Sequence, residues 1–190
     1  KQSYRELFLH YAELDPLACE DAELQRLLAP YHIAADGLDR DDYLNLALTH
    51  HIEPQLPGDR ILAVYDYPAS QAALAKTRDG LVSERFEIYW GQLELANGYQ
   101  ELTDPSEQAA RFAGDLRKRE TRGKELPAID QRFLRALADG MPECAGVALG
   151  WFDAADVEIT YGDAVLYGLL AGLAASGIFR TARETTRLAE

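Results

Sequence analysis

The run from Glu84 to Asp104, ERFEIYWGQLELANGYQELTD, constrains this chain more than any other stretch. Its residues alternate with a period of two on either side of Gly91-Gln92, which predicts two short strands joined by a two-residue hairpin turn. A turn that tight pairs Trp90 with Leu93, Ile88 with Leu95, Tyr89 with Glu94 and Glu87 with Ala96. One face then carries Phe86, Ile88, Trp90, Leu93 and Leu95 and is expected to lie on the core. The open face carries Glu87, Tyr89, Glu94 and Ala96. There Glu87 and Glu94 are diagonal neighbours, roughly 7–8 Å apart at the backbone. Paired acids on such a face either point into water, the ordinary case, or share a cation. A hard ion such as Mg2+ with a phosphate beside it suits oxygen ligands at this spacing. A one-residue slip in the register would send the two carboxylates to opposite faces.

The flanking sequence supplies helices. Ser3-Tyr4-Arg5-Glu6 is a capping-box pattern, followed by Tyr4, Leu7, Phe8, Tyr11 and Leu14 at helical spacing. Two further helices are predicted from about Asp21 to Tyr31 and from about Asp39 to Ile52, and the three read as a small helical insertion over about 3–53. His50-His51 makes a poor metal site, because adjacent residues point apart on a helix and no third ligand is spaced to help. Strands are expected near 61–67, 84–90, 93–99 and 145–149. Tyr65 and Tyr67 on the first of these read as packing residues. Asp104-Pro105-Ser106-Glu107 starts a helix that runs to about Arg122 before Gly123, and Asp130 caps another that closes at Gly140. Arg111, Arg117, Lys118, Arg119 and Arg122 form a basic run, read first as a solvated helix face and second as a dock for an acidic partner.

Charge narrows the function classes. With 19 basic against 32 acidic residues the formal charge is −13, which disfavours a broad nucleic-acid surface built on phosphate contacts. Cys19 and Cys144 are too few and too isolated for a disulfide framework or a zinc site, so a cytoplasmic setting is expected. No signal-peptide pattern stands near the start and no membrane partner is expected. Lys1 is not an initiator and Met141 is the sole methionine, so the chain reads as a fragment or a processed product.

The run FEIYWGQLELANGYQELTD resembles the lysine-site segment of class II lysyl-tRNA synthetases, and most of all that of their short relatives, the elongation factor P lysine ligases. VYDYPASQAALAK and AIDQRFLRALADGMPECAGVALG carry the resemblance from about Ser3 to Gly150. It implies an α+β fold: a class II aminoacyl-tRNA synthetase-like antiparallel sheet flanked by helices, as a partial catalytic domain over 1–150. It also implies ATP-dependent activation of lysine or β-lysine and transfer of the acyl group to a lysine of elongation factor P. ATP and Mg2+ are then the cofactors, elongation factor P the partner, and no tRNA is expected.

Residue by residue, the resemblance assigns Glu87 and Glu94 to Mg2+ and ATP, with Glu94 also facing the substrate's α-ammonium. Asn97, Tyr99 and Glu101 become the amino-acid pocket, with Glu101 opposite the side-chain ammonium and Ala148 on the floor. Gly146 and Gly150 fall in the third class II motif, which holds the nucleotide. The pattern breaks after Gly150: Trp151-Phe152-Asp153-Ala154 offers no arginine for the ATP phosphates. In the atypical segment 151–190, VEITY reads as a strand and the apolar run Ala164–Phe179 as a buried helix. The family is homodimeric, and its first motif, which builds the dimer, and its second, which carries an arginine, would both precede Lys1. The chain is therefore not expected to catalyse adenylation alone. A lysyl-tRNA synthetase fragment is the runner-up, and a non-catalytic lysine-binding or regulatory paralogue the reading from another class.

Overall fold

The computed structural model describes residues 1–33 and 37–149. Six strands form one sheet: β1 (Gln2–Ser3), β2 (Ile61–Pro68), β3 (Thr77–Arg78), β4 (Val82–Trp90), β5 (Leu93–Gln100) and β6 (Ala145–Leu149). The order is β1-β2-β4-β5-β6, with β3 against β4. Every pair is antiparallel except β1 with β2, so the sheet is mixed. Five helices flank it: α1 (Tyr4–Tyr11), α2 (Asp21–Leu28), α3 (Arg40–Ala47), α4 (Pro105–Thr121) and α5 (Gln131–Ala138).

The helix starts form as their local chemistry requires. The Ser3 backbone N–H donates to Glu6 at 2.7 Å while the Ser3 hydroxyl accepts from the Glu6 N–H at 3.2 Å. Asp39 and Asp42 repeat that exchange at α3. Asp104 accepts from the N–H groups of Ser106 and Glu107, behind a proline in the first turn. After α3 the chain makes a π turn, Leu48–Ile52, and a single 3-10 turn, Glu53–Gln55.

The core lies between these N-terminal helices and one face of the sheet. Tyr4, Leu7 and Phe8 of α1, Leu24 of α2, Leu44 of α3 and Ile52 are buried against Val64, Tyr67 and Tyr89. Each large apolar side chain so buried contributes about 1.5–3 kcal/mol. Tyr4 stacks on Phe8 with ring centroids 4.6 Å apart and tilts against Tyr67 at 4.7 Å.

The hairpin turn forms where expected, with Trp90 opposite Leu93 and Tyr89 opposite Glu94. Gly91 alone of the two turn residues has a positive φ, +58°, which is the glycine-first pattern of a type II′ turn. Two expectations are corrected. Beyond Tyr89 the register shifts: Ile88 pairs with Ala96 rather than Leu95, and Glu87 with Asn97 rather than Ala96, leaving Leu95 as a bulge. The two faces are also exchanged. The Glu87–Tyr89 face is the buried one, because α1 and the π turn pack on the same side of β2, whereas Trp90 is 55% exposed.

The basic run is also more than a solvated face. Arg111, Lys118 and Arg122 lie along one side of α4. Arg111 donates to the carbonyls of Ala73 at 2.9 Å and Ala75 at 2.6 Å. Lys118 and Arg122 pair with Asp39, Asp41 and Asp42 in the first turn of α3. The basic end of one helix thus meets the acidic start of another, an arrangement both helix dipoles favour. The readings of a strand at VEITY and a buried helix over Ala164–Phe179 lie outside the described residues, as does Gly150.

Candidate active site

Two bulges decide what the buried face of the sheet presents. In a regular strand Tyr65 and Tyr67 share a face, and so do Glu94, Ala96 and Gly98. At Asp66, whose φ is +57°, one residue of β2 faces two of β4, Glu84 and Arg85, so Tyr67 pairs with Ser83 and turns to the side of Val64 and Glu87. At Leu95, β5 slips likewise, and Asn97 and Tyr99 join Glu94 on the side of Arg85, Glu87 and Tyr89. β6 completes the row, with Ala148 opposite Asn97 and Gly146 opposite Tyr99. Strict alternation would have divided the residues assigned to lysine between two faces. The bulge at Leu95 brings them together.

Glu87 is the fixed point of this face. It is 2% exposed, and both its oxygens are taken. Oε2 accepts from the hydroxyls of Tyr67 and Tyr89, each at 2.5 Å. Oε1 accepts from the Arg85 guanidinium, and from the Asn97 amide at 3.4 Å. Four donors fill the lone-pair positions of one carboxylate. Burial, and then the Glu87 charge, push the Tyr67 and Tyr89 hydroxyls well above the usual phenol range, so both remain donors. The Arg85 guanidinium also sits 4.7 Å from the centroid of the Tyr67 ring.

Away from the helices the face opens. Glu94, Asn97, Tyr99, Glu101, Gly146 and Ala148 are all half-buried. Burial and the nearby Glu87 charge raise the Glu94 carboxyl to about 8, against the opposing pull of Arg85 and the Asn97 hydrogen bond. Glu101 is raised by burial, and it in turn adds to the rise at Tyr99. Its carboxylate lies where a side chain on Gly146 would stand, and a Cβ there would collide with Oε1. Neither Glu94 nor Glu101 meets a cation within salt-bridge distance among the described residues.

Sequence reasoning missed four members of this constellation. Tyr67 and Tyr89 are hydrogen-bond donors as well as packing residues. Arg85 carries the positive charge beside Glu87. Glu53 comes from the 3-10 turn after the insertion, and the Tyr89 hydroxyl oxygen lies 3.4 Å from its Oε1. Burial, with the Glu87 charge adding, raises Glu53 to about 7. The signal that could have found Tyr67 is Asp66, a residue type that tolerates the left-handed conformation a bulge requires.

The magnesium assignment can be tested against these contacts. All four hydrogen bonds to Glu87 come from protein donors, and no group of three His, Cys, Asp or Glu side chains converges among the described residues. Glu94 and Glu101 present carboxyl groups to the open part of the face, whereas the oxygens of Glu87 are engaged by protein donors.

A family model described as tRNA synthetases class II (D, K and N) matches residues 20–153, well over half of the sequence. The chain belongs to that family. The match runs three residues past Gly150, through Asp153, so the family pattern continues slightly beyond the point where the resemblance was expected to break. Membership accounts for the mixed α+β sheet flanked by helices and places the chain among ligases that join amino acids to acceptors. No helix among the described residues is long and apolar enough to cross a membrane.

Proposed function

We propose that the open face of this sheet is the amino-acid site of a lysine-activating ligase. One observation carries the reading. Within a family whose members serve aspartate, lysine and asparagine, the groups on this face without a salt-bridge partner among the described residues are acids, Glu94 and Glu101. A site for aspartate needs cations toward its side-chain carboxylate, and the nearest one, Arg85, is engaged by Glu87. A half-buried carboxylate with no partner costs desolvation that a ligand ammonium recovers, so such a site favours a diamino acid over uncharged analogues.

In this reading Glu94 holds the α-ammonium and Glu101 the side-chain ammonium. Asn97 orients Glu94, Tyr99 flanks the ligand stem, and Ala148 is the floor. Gly146 leaves room for the Glu101 carboxylate. ATP supplies the phosphoanhydride that activates the carboxyl group, and Gly146 with Gly150 belongs to the nucleotide side. The acceptor that best suits a chain of net charge −13 is an amine on a protein, and the proposed reaction is lysyl or β-lysyl transfer to a lysine of elongation factor P. Calorimetry of the chain with lysine, β-lysine, aspartate and asparagine tests the amino-acid assignment. Lysine or β-lysine alone should bind; preferential binding of aspartate would overturn it.

A further inference from the structure

The hydroxyl of Tyr89 faces two carboxyl groups and has one proton. It lies 2.5 Å from Oε2 of Glu87 and 3.4 Å from Oε1 of Glu53. Glu87 Oε2 is the nearer acceptor, so the phenol proton is committed there. A deprotonated Glu53 would then present a bare oxygen to the bare lone pairs of the phenol, a contact with no hydrogen bond in it. A protonated Glu53 instead donates to the Tyr89 oxygen, and all three groups are satisfied.

We propose that Glu53 is a positioning residue of the amino-acid site, acting in its protonated form as the donor that keeps the Tyr89 proton on Glu87. The titratable groups facing it are Tyr89 and Glu87 from β4 and Glu94 from β5, and the cation beside them, Arg85, is paired with Glu87. Losing the proton adds a negative charge beside that of Glu87 and lets the phenol turn between two acceptors. Glu53 comes from the chain that leads out of the helical insertion, so the insertion contributes a side chain to the site as well as covering the sheet. The geometry stands without any ligand; its consequence for the ligand rests on the lysine reading above.

Glu53 is raised from 4.5 to about 7 by burial, so folding holds its proton more tightly than the unfolded chain does. Its contribution to stability is present below the unfolded value and is lost as pH rises through that interval. The test is the melting temperature of the full chain from pH 5 to 8, for wild type, Glu53→Gln and Glu53→Ala. Wild type should lose stability across the interval, and Glu53→Gln, whose amide donates at every pH, should show a shallower fall. Glu53→Ala should lie below Glu53→Gln throughout, because it removes the donor. Equal slopes for wild type and Glu53→Gln overturn the proposal. If Glu53→Gln does not fold, carbon-13 titration of the carboxyl in the wild-type chain decides. A midpoint near 7 supports the proposal, and one at the ordinary 4.5 overturns it. Failure of the wild-type chain to bind lysine would count against the ligase reading alone, since the melting comparison uses no ligand.

Discussion

Glu101 rests its carboxylate in the space that the missing side chain of Gly146 leaves free. Glu101 follows directly on the end of β5, and Gly146 stands opposite Tyr99 in the β5–β6 ladder. Gly146→Ala should therefore push Glu101 aside while leaving the strand intact, since the glycine needs no unusual backbone angle. Loss of one charge-assisted hydrogen bond is worth about 1.5–3 kcal/mol, so lysine affinity should fall about 10- to 100-fold with little change in melting temperature. Calorimetry beside a melting curve separates the two effects.

Tyr67→Phe and Tyr89→Phe each remove one of the two hydroxyls that Glu87 Oε2 accepts. Each should cost about 1–3 kcal/mol, because a buried acceptor loses its donor without a replacement. In a chain of this size that lowers the melting temperature by about 2–4 °C per kcal/mol. The double variant should depart from the sum of the singles, since both act on one oxygen. Thermal denaturation of the four proteins checks this.

The Glu94 carboxyl, held at about 8 against an ordinary 4.5, carries its own signature. The folded chain binds that proton more tightly than the unfolded one, so the associated stability is lost as pH rises from 4.5 toward 8. Ligand binding runs the other way: an ammonium prefers the ionised carboxylate, so lysine affinity should climb from pH 6 toward 8. Glu94→Gln should flatten both curves, read by melting and by calorimetry across that range.

The bulge at Leu95 makes a sharper prediction. Deleting Leu95 removes the extra residue and leaves Asn97 opposite Glu87, so Glu94, Asn97, Tyr99 and Glu101 should alternate regularly on the face of Glu87. Lysine binding by calorimetry should be retained, with strand content by circular dichroism unchanged; a folded variant that no longer binds lysine would contradict the assignment of these residues to one shared face.

Much of this architecture was legible because local chemistry and tertiary packing agree. The capping residues Ser3, Asp39, Asp104 and Asp130 bound helices where their side chains can reach free N–H groups, and Gly91 marks a turn that only a positive φ permits. The bulges at Asp66 and Leu95 were not legible, since an inserted residue leaves hydrophobic alternation locally intact on both sides. Which face of the hairpin is buried was misread for a related reason. Glu87 is tolerated in the interior by Arg85 and Tyr89, two residues either side of it on β4, and by Tyr67, which only the register brings to it. Glu53 was out of reach because its partners are more than thirty residues away along the chain.

The central claim is that Glu101 selects a cationic side chain, and the most direct measurement compares lysine with norleucine, which differs in lacking the terminal amine. Calorimetry of the wild-type chain should favour lysine by about 10-fold or more, and Glu101→Gln should erase most of that preference while still folding. Equal affinity of the wild-type chain for the two amino acids, or an undiminished preference in Glu101→Gln, would contradict the account.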